Sequence, residues 1–438
     1  MEITDNKYFK IVAVLLPSLI IFGNISLFNI RVAGLVLTSY RILIPILCVA
    51  LIWLYLKEKP HRGIKQIAKE NVSLSFFCCV MVFWIAYGLM TLVLFKYSVF
   101  HEGAKEIMML ILTVPSVVSL CILCHYGCWD DILIGLRIAV LITLIIAIAE
   151  IITGKHLPTS HYSDMEFLRT YFIVPESELA NIKVYNATSI FYNENDYSAF
   201  LVVAAPLFVN DICNGSKWCR LSGCLFLGAI YYIILTNDAF ICVIAGALGV
   251  ILALLFNKKG LLSYLYTVVT LAAARIIYAV VSSGERAIES SLLEQMNNME
   301  MGYGSLLRRL NTYSTSFTET IRVTKGLGFG AGSYTNYFSQ LAETHNMMSN
   351  PHCYWVEIFS EYGAIVEVLF IALLLLLYIK IIVYALSTER QKASLILAMG
   401  TAFAVACVAP SSYMMNTYHW IPIGMAVWLV DSMSKNAK

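Results

Sequence analysis

About twelve apolar runs, each close to the length of a membrane-crossing helix, decide what this chain can fold into. A span needs about 20 mostly apolar residues, and in hydrocarbon only a helix or a closed barrel satisfies its own backbone. The runs fall at approximately 10–29, 38–56, 73–95, 106–125, 132–152, 196–213, 220–236, 239–256, 261–282, 362–385, 393–412 and 419–433. Charged residues make up 13% of the chain, where soluble domains carry about 25%. That excludes a soluble enzyme with one greasy patch. The expected fold is an all-α integral membrane protein, one polytopic domain over residues 1–438 with about twelve transmembrane helices.

Orientation follows from lysine and arginine in the short loops. Lys57, Lys59, Arg62, Lys65 and Lys69 follow the second run, Lys217 and Arg220 the sixth, Lys258 and Lys259 the eighth, Arg390 and Lys392 the tenth, and Lys435 and Lys438 end the chain. All fall on one side if both termini are cytoplasmic. Two larger extracytoplasmic loops, about 153–195 and about 283–361, then carry basic residues against the usual bias: Lys155, Arg169 and Lys183 in the first, Arg286, Arg308, Arg309, Arg322 and Lys325 in the second. Long loops cross regardless of charge, and an anionic ligand would explain basic residues kept outside. The net charge of +2 sets up no field that would gather nucleic acid. The first run lacks a small-residue cleavage site and is expected to stay as an anchor.

Most of the twelve cysteines lie inside apolar runs, where they act as small hydrophobes. Cys121-Ile-Leu-Cys124-His125 has the spacing of a haem attachment site, but it ends a span on the expected cytoplasmic side, so it reads as helix packing.

The chemistry is concentrated in the outer loops. Arg308 and Arg309 offer forked donors to phosphate or carboxylate, or else pair with Glu319 or Glu285. Gly326-Leu-Gly328-Phe-Gly330-Ala-Gly332 places glycine at every second position; such a run brings backbone amides close to an anion, or is simply a turn. His352 precedes the aromatic stretch Tyr354-Trp355-Val356-Glu357-Ile358-Phe359, which belongs at a membrane interface. There a histidine of near-neutral pKa serves as proton acceptor or phosphate partner, or is an ordinary interfacial residue. Glu357 and Glu361 are expected to point into a cavity rather than to lipid. At the end of the fifth run Glu150 is either functional or interfacial, and Asn193 and Asn195 either cap the next helix or donate to sugar hydroxyls. Arg41 and Arg275 lie within runs, and Arg41, near the outer side, is a second phosphate candidate.

These residues carry a resemblance. Glu150-x-x-Thr-Gly154-x-His156-Leu-Pro158-x-Ser160, then Phe191-Tyr-Asn193-x-Asn195-Asp196, Arg309, Gly328-x-Gly330-x-Gly332, Asn350-Pro351-His352-x-x-Trp355-x-Glu357 and Tyr362-Gly363 follow in that order. The order resembles the O-antigen ligase/polymerase superfamily, and within it the Wzy-like polymerases of capsule, exopolysaccharide and teichuronic acid. The match runs from about Glu150 to Gly363. The resemblance implies a metal-independent, cofactor-free glycosyl transferase on the outer face of the cytoplasmic membrane. Its donor would be an oligosaccharide on undecaprenyl pyrophosphate. Arg309 would hold the pyrophosphate, and His352 would assist the acceptor hydroxyl or touch phosphate. Arg308, Arg322, Arg41, Glu150, Asn193, Asn195, Gly328 and Gly330 complete the expected substrate site. A chain-length regulator and the flippase of the same pathway are the candidate partners.

Two positions depart from the pattern. Cys353 stands where the superfamily has Asn, and Asp238 in Thr236-Asn237-Asp238-Ala239 stands where it often has Arg. Arg308, Arg322 or Arg41 would have to supply the missing cation. The function expected is polymerisation of lipid-linked repeat units into a surface polysaccharide. A ligase moving finished glycan to another acceptor is the second reading and a lipid-linked glycan transporter the third; unequal outer loops, both on one side, argue against the paired halves of a transporter.

Overall fold

With no water to turn to, the backbone of each apolar run closes its hydrogen bonds internally, and every one of the twelve runs contains a helix. The computed structural model describes residues 7–24, 31–32, 35–36, 38–58, 69–164, 184–257, 260–281, 305–342, 344–410, 412 and 414–436. The runs correspond to α1 (Lys7–Ile21), α2 (Ser39–Glu58), α3 (Val72–Leu94), α4 (Phe100–His125), α5 (Trp129–Thr153), α6 (Glu194–Asn214), α7 (Lys217–Thr236), α8 (Phe240–Asn257) and α9 (Leu261–Val281). After these come α10 (Ser305–Thr324) and α11 (Tyr334–Ala342), both inside the expected large loop, and then α12 (Tyr354–Lys380), α13 (Arg390–Ala406) and α14 (Trp420–Asn436). Arg31–Val32 and Leu35–Val36 form a two-residue antiparallel ladder between α1 and α2. Lys59, Arg62, Lys65, Arg169, Lys183, Lys258, Lys259, Arg286 and Lys438 lie outside the described residues.

Among the described residues, nine helices are long and apolar enough to cross a membrane: α2 to α9 and α12. Helix α1 has 15 residues, and α13 and α14 have 17 each. Helices α1 and α13 are shorter than their runs because turns cut them: α1 ends in a 3-10 turn at Phe22–Asn24, and α13 stops before the turn at Cys407.

Helix α6 is the hub. Leu201, Val202, Ala205, Leu207, Val209 and Ile212 are all buried, on every side of the helix, as expected of a helix surrounded by others. Helices α7, α8 and α13 pack around it, α1 packs on α5, and α2, α3 and α14 gather on α4. Close approach relies on small residues: a Cβ at Gly135 would stand 2.3 Å from the Val14 carbonyl oxygen of α1. By contrast α2 and α9 turn large apolar side chains outward, including Ile46, Val49, Trp53, Val268 and Ile276. Arg275, on α9, stacks over Tyr278 at 5.6 Å.

The bundle has two unlike ends. At one, Phe9 of α1 stacks on Tyr126 (4.6 Å), Trp428 of α14 lies 5.5 Å from Trp129, and Asp431 accepts from the Ser73 and Leu74 amides at 2.8 and 3.0 Å to cap α3. The first and last helices therefore open and close at the same end. Arg137 and Asp211 form a bidentate pair there at 2.8 and 2.5 Å. The other end collects residues 153–164 and 184–196, the 237–239 turn, 305–342, 344–363, and the described residues of 407–419.

Candidate active site

The segment between α10 and α12 is held down by its glycines. Gly326, Gly328, Gly330 and Gly332 all take the left-handed backbone that side chains disfavour. Their amides do not point to solvent. Phe329 N donates to Ser360 O at 2.7 Å, Gly330 N to Glu361 O at 2.9 Å, Gly328 N to Thr324 Oγ1 at 3.1 Å and Ala331 N to Thr91 Oγ1 at 3.4 Å. Gly332 N donates to two carboxylates, Glu106 Oε2 at 3.2 Å and Glu361 Oε2 at 3.3 Å. The run is a strap rather than an anion cradle. Gly328 and Gly330 are therefore corrected from ligand contacts to packing positions: a Cβ at Gly330 would meet Ser98 Oγ at 1.9 Å, and one at Gly328 the Glu361 carbonyl at 2.4 Å.

The strap fits because α12 breaks at Gly363 (φ 78°, ψ 175°). The break frees the Ser360 and Glu361 carbonyls for the strap, and Ala364 N returns a bond to Gly326 O at 2.9 Å. The stretch before the break, residues 354–361, is helical and buried apart from the half-buried Trp355 and Val356. Glu361 turns inward as expected, but onto backbone, accepting from Tyr334 N at 2.9 Å. Glu106 accepts from Tyr362 Oη at 2.9 Å.

Helix α10 presents an unusual inner face. Thr312, Ser316 and Thr320, one turn apart, are fully buried, while Leu310, Phe317 and Ile321 face outward. The hydroxyls are satisfied locally: Thr312 Oγ1 donates to Arg308 O at 2.6 Å, and Ser316 shares a 2.6 Å bond with Tyr334 Oη. Arg309 and Tyr313, a turn apart on the same helix, meet His352. Arg309 Nη1 donates to Val408 O at 2.7 Å, and Tyr313 Oη donates to His352 O at 2.9 Å. Burial pushes the Tyr313 phenol up to about 12, so it remains a donor. His352 sits in the left-handed region at φ +46°, and its Nδ1 is buried with no hydrogen-bond partner among the described residues. Burial, then the Arg309 and Arg308 charges, pushes its pKa down to about 4. The near-neutral, proton-accepting histidine expected from sequence is thus a neutral, weakly basic ring.

The other basic residues are placed differently. Arg308 is exposed and donates to Met347 O at 3.2 Å. Arg322, also exposed, forms a forked pair with Glu319 at 2.9 and 2.6 Å, one turn away on the same helix. Arg41 begins α2, on a separate element from Arg309, and is half-buried. Cys353 is a buried thiol held up at about 11 by burial, at the start of α12.

The end of α5, residues 154–164 and residues 184–193 form a second wall. Glu150, buried at the end of α5, accepts from Thr188 N at 2.9 Å and Ser189 N at 2.6 Å, and lies 3.4 Å from His156 Nδ1. It is a clamp on the loop. Asn193 caps α6, accepting from Asp196 N at 2.8 Å, which settles the first of its two sequence readings. Asn195 follows in the first turn, half-buried. Asn237, in the turn beside Asp238, accepts from Ala187 N at 2.7 Å and donates to Ala187 O at 2.8 Å and Ser198 Oγ at 3.1 Å. Asp238 itself takes φ +51° to make that turn. His161 Nε2 lies 3.2 Å from Glu194.

The two walls share a floor that sequence reasoning overlooked, the linker from Cys407 to His419. Val408 takes Arg309, Ser412 donates a short hydrogen bond to Glu357, Asn416 reaches the Asp196 carboxyl, and Thr417 Oγ1 donates to Ile20 O at 2.7 Å. Only its Ser-Ser-Tyr and Asn-Thr-Tyr-His polarity at the end of an apolar run could have flagged it.

Fold and site together define a helical integral membrane protein with one polar, irregular end that carries Arg309 and His352. Over 449 aligned residues, spanning 95% of this chain and 83% of the relative, it is 24% identical to the teichuronic acid biosynthesis protein TuaE of Bacillus subtilis (strain 168). No protein-family model matches the chain, and no solved structure matches it.

Proposed function

We propose that the protein joins undecaprenyl-pyrophosphate-linked repeat units into a surface polysaccharide, working at the outer face of the cytoplasmic membrane. The observation that carries the reading is the meeting of Arg309, Tyr313 and His352 at the polar end of the bundle. The likeness to a teichuronic acid biosynthesis protein supports the same pathway class. In this reading all twelve helices span the membrane, and the end holding Lys57, Lys217, Arg220, Arg390 and Lys392 faces the cytoplasm with both termini.

Arg309 holds the pyrophosphate and stabilises the charge that grows on it as the glycosidic bond breaks. The neutral His352 gives that headgroup a hydrogen bond. Tyr313 keeps the histidine backbone in its strained conformation. Purified full-length protein in nanodiscs, given a synthetic lipid-linked repeat, should build a ladder of products. Movement of the lipid between leaflets with no extension would instead point to a transporter, and full-length glycan left on carrier lipid in a gene deletion to a ligase.

A further inference from the structure

At the end of the bundle away from Arg309 and His352, the first turns of α5 and α13 and the junction of α6 with α7 line a cavity of about 220 Å³. Nothing in the glycosyl-transfer reading uses it. Arg137 lines it, with Nε and Nη2 committed to Asp211 at 2.8 and 2.5 Å and Nη1 uncommitted. Asn210 lines it too and is 5% exposed. Its amide oxygen accepts from Asn214 Nδ2 at 2.8 Å, which leaves the amide nitrogen with no hydrogen-bond partner among the described residues. A buried donor of this kind is costly until a partner completes it. Lys392 lies 3.1 Å from Glu389 and stands 5.8 and 5.4 Å over the Trp129 and Trp428 rings. Neither α5 nor α13 starts with a side-chain cap, and such helix starts attract negative charge. Donors thus converge from three helices, an arrangement suited to phosphate.

The charges of the lining nevertheless balance, Arg137 and Lys392 against Asp211 and the exposed Asp130. A simple anion would upset that balance, whereas a ligand carrying both a phosphate and an ammonium keeps it. Helices α5 and α7 continue from the cavity with Ile138, Leu221 and Leu225 turned outward, an apolar surface fit for acyl chains. Indole rings such as those of Trp129 and Trp428 belong at a membrane interface. We propose that this cavity binds the headgroup of a zwitterionic, ethanolamine-type phospholipid. The phosphate takes the Arg137 Nη1, Asn210 and Lys392 donors, and the ammonium takes Asp130. The site stands apart from the glycosyl-transfer reading, whose failure would leave it in place.

The test mixes full-length protein in detergent with phosphatidylethanolamine, phosphatidylglycerol or free phosphoethanolamine and counts bound molecules by native mass spectrometry. The wild type should hold one phosphatidylethanolamine at least about threefold more tightly than phosphatidylglycerol. Asp130→Asn, a change to an exposed side chain, should remove that preference. Asn210→Ala should weaken both lipids about tenfold, with its melting temperature in lipid-free detergent separating lost binding from lost folding. Lys392→Ala, which removes a half-buried charge, should weaken both about threefold even if Asn210→Ala does not fold. Equal binding of the two lipids by the wild type, or unchanged binding in Lys392→Ala and in a folded Asn210→Ala, overturns the proposal. Free phosphoethanolamine bound as tightly as the lipid would make a soluble phosphate ester the ligand and overturn the lipid assignment.

Discussion

The two walls use the same fastening and present different polar groups. Each is pinned by a carboxylate from a helix that takes loop amides: Glu150 holds Thr188 and Ser189, and Glu361 holds Gly332 and Tyr334. Beyond the pins they diverge. The wall from α5 to α6 presents Glu194 and Asp196, whereas the wall from α10 to α12 presents Arg308, Arg309 and a histidine kept neutral by burial and those arginines. The acid of the first wall is paired within that wall, Glu194 with His161, whereas Arg309 of the second donates across to a backbone carbonyl of the linker.

The largest expected effect falls on the basic wall. Arg309→Ala should lower extension of a lipid-linked repeat about 100- to 1,000-fold, the scale of losing one preorganised donor to developing negative charge, with protein abundance retained. Wild-type chain lengths in that variant would remove the division between the walls. Arg308→Ala, altering an exposed side chain, should lower the rate far less.

His352 distinguishes a base from a phosphate contact. His352→Ala should lose most extension, whereas His352→Gln, which still offers a neutral donor, should keep a measurable part; equal loss in both would restore the histidine as base. The same residue gives a pH signature. Its folded pKa of about 4 lies below the ordinary 6.5, so the unfolded chain binds the proton first as pH falls. This contribution to stability is complete above about 6.5 and is lost as pH drops towards about 4. Melting temperature in detergent should fall less steeply over that window in His352→Gln than in the wild type.

The acidic wall is sharpened by its pin. Glu150→Ala strands two buried amides, at about 1–3 kcal/mol each, and should lower the melting temperature clearly, with activity lost in proportion to folded protein. Glu150→Gln keeps one acceptor oxygen and should fall between. If Glu150→Ala melts normally but cannot extend glycan, Glu150 belongs to the chemistry rather than to the clamp.

The helices were readable because apolar length is a property of adjacent residues: each run written from sequence contains one helix. What escaped depends on partners distant in sequence. Nothing in Gly328-Phe-Gly330 reveals that the Phe329 and Gly330 amides are taken by a broken helix about thirty residues on, because the break at Gly363 looks like any glycine in an apolar stretch. The basicity of His352 was misjudged for the same reason, since burial and Arg309 become visible only when α10 folds over residue 352. Asn193 was partly legible, because capping is local. The linker carrying Val408, Ser412 and Asn416 was missed, its role resting wholly on what docks above it.

The smallest expected effect tests whether charge alone marks the basic wall. Arg322 is on the same helix as Arg309 and was grouped with it on sequence, yet it lies exposed and engaged by Glu319. An exposed pair of this kind contributes little to stability and is screened by salt. Arg322→Ala should therefore leave both melting temperature and extension rate unchanged at physiological ionic strength. A clear loss of extension with unchanged melting would mean that the long lipid-linked substrate reaches across the exposed surface of α10, and that the basic wall extends beyond Arg309 and His352.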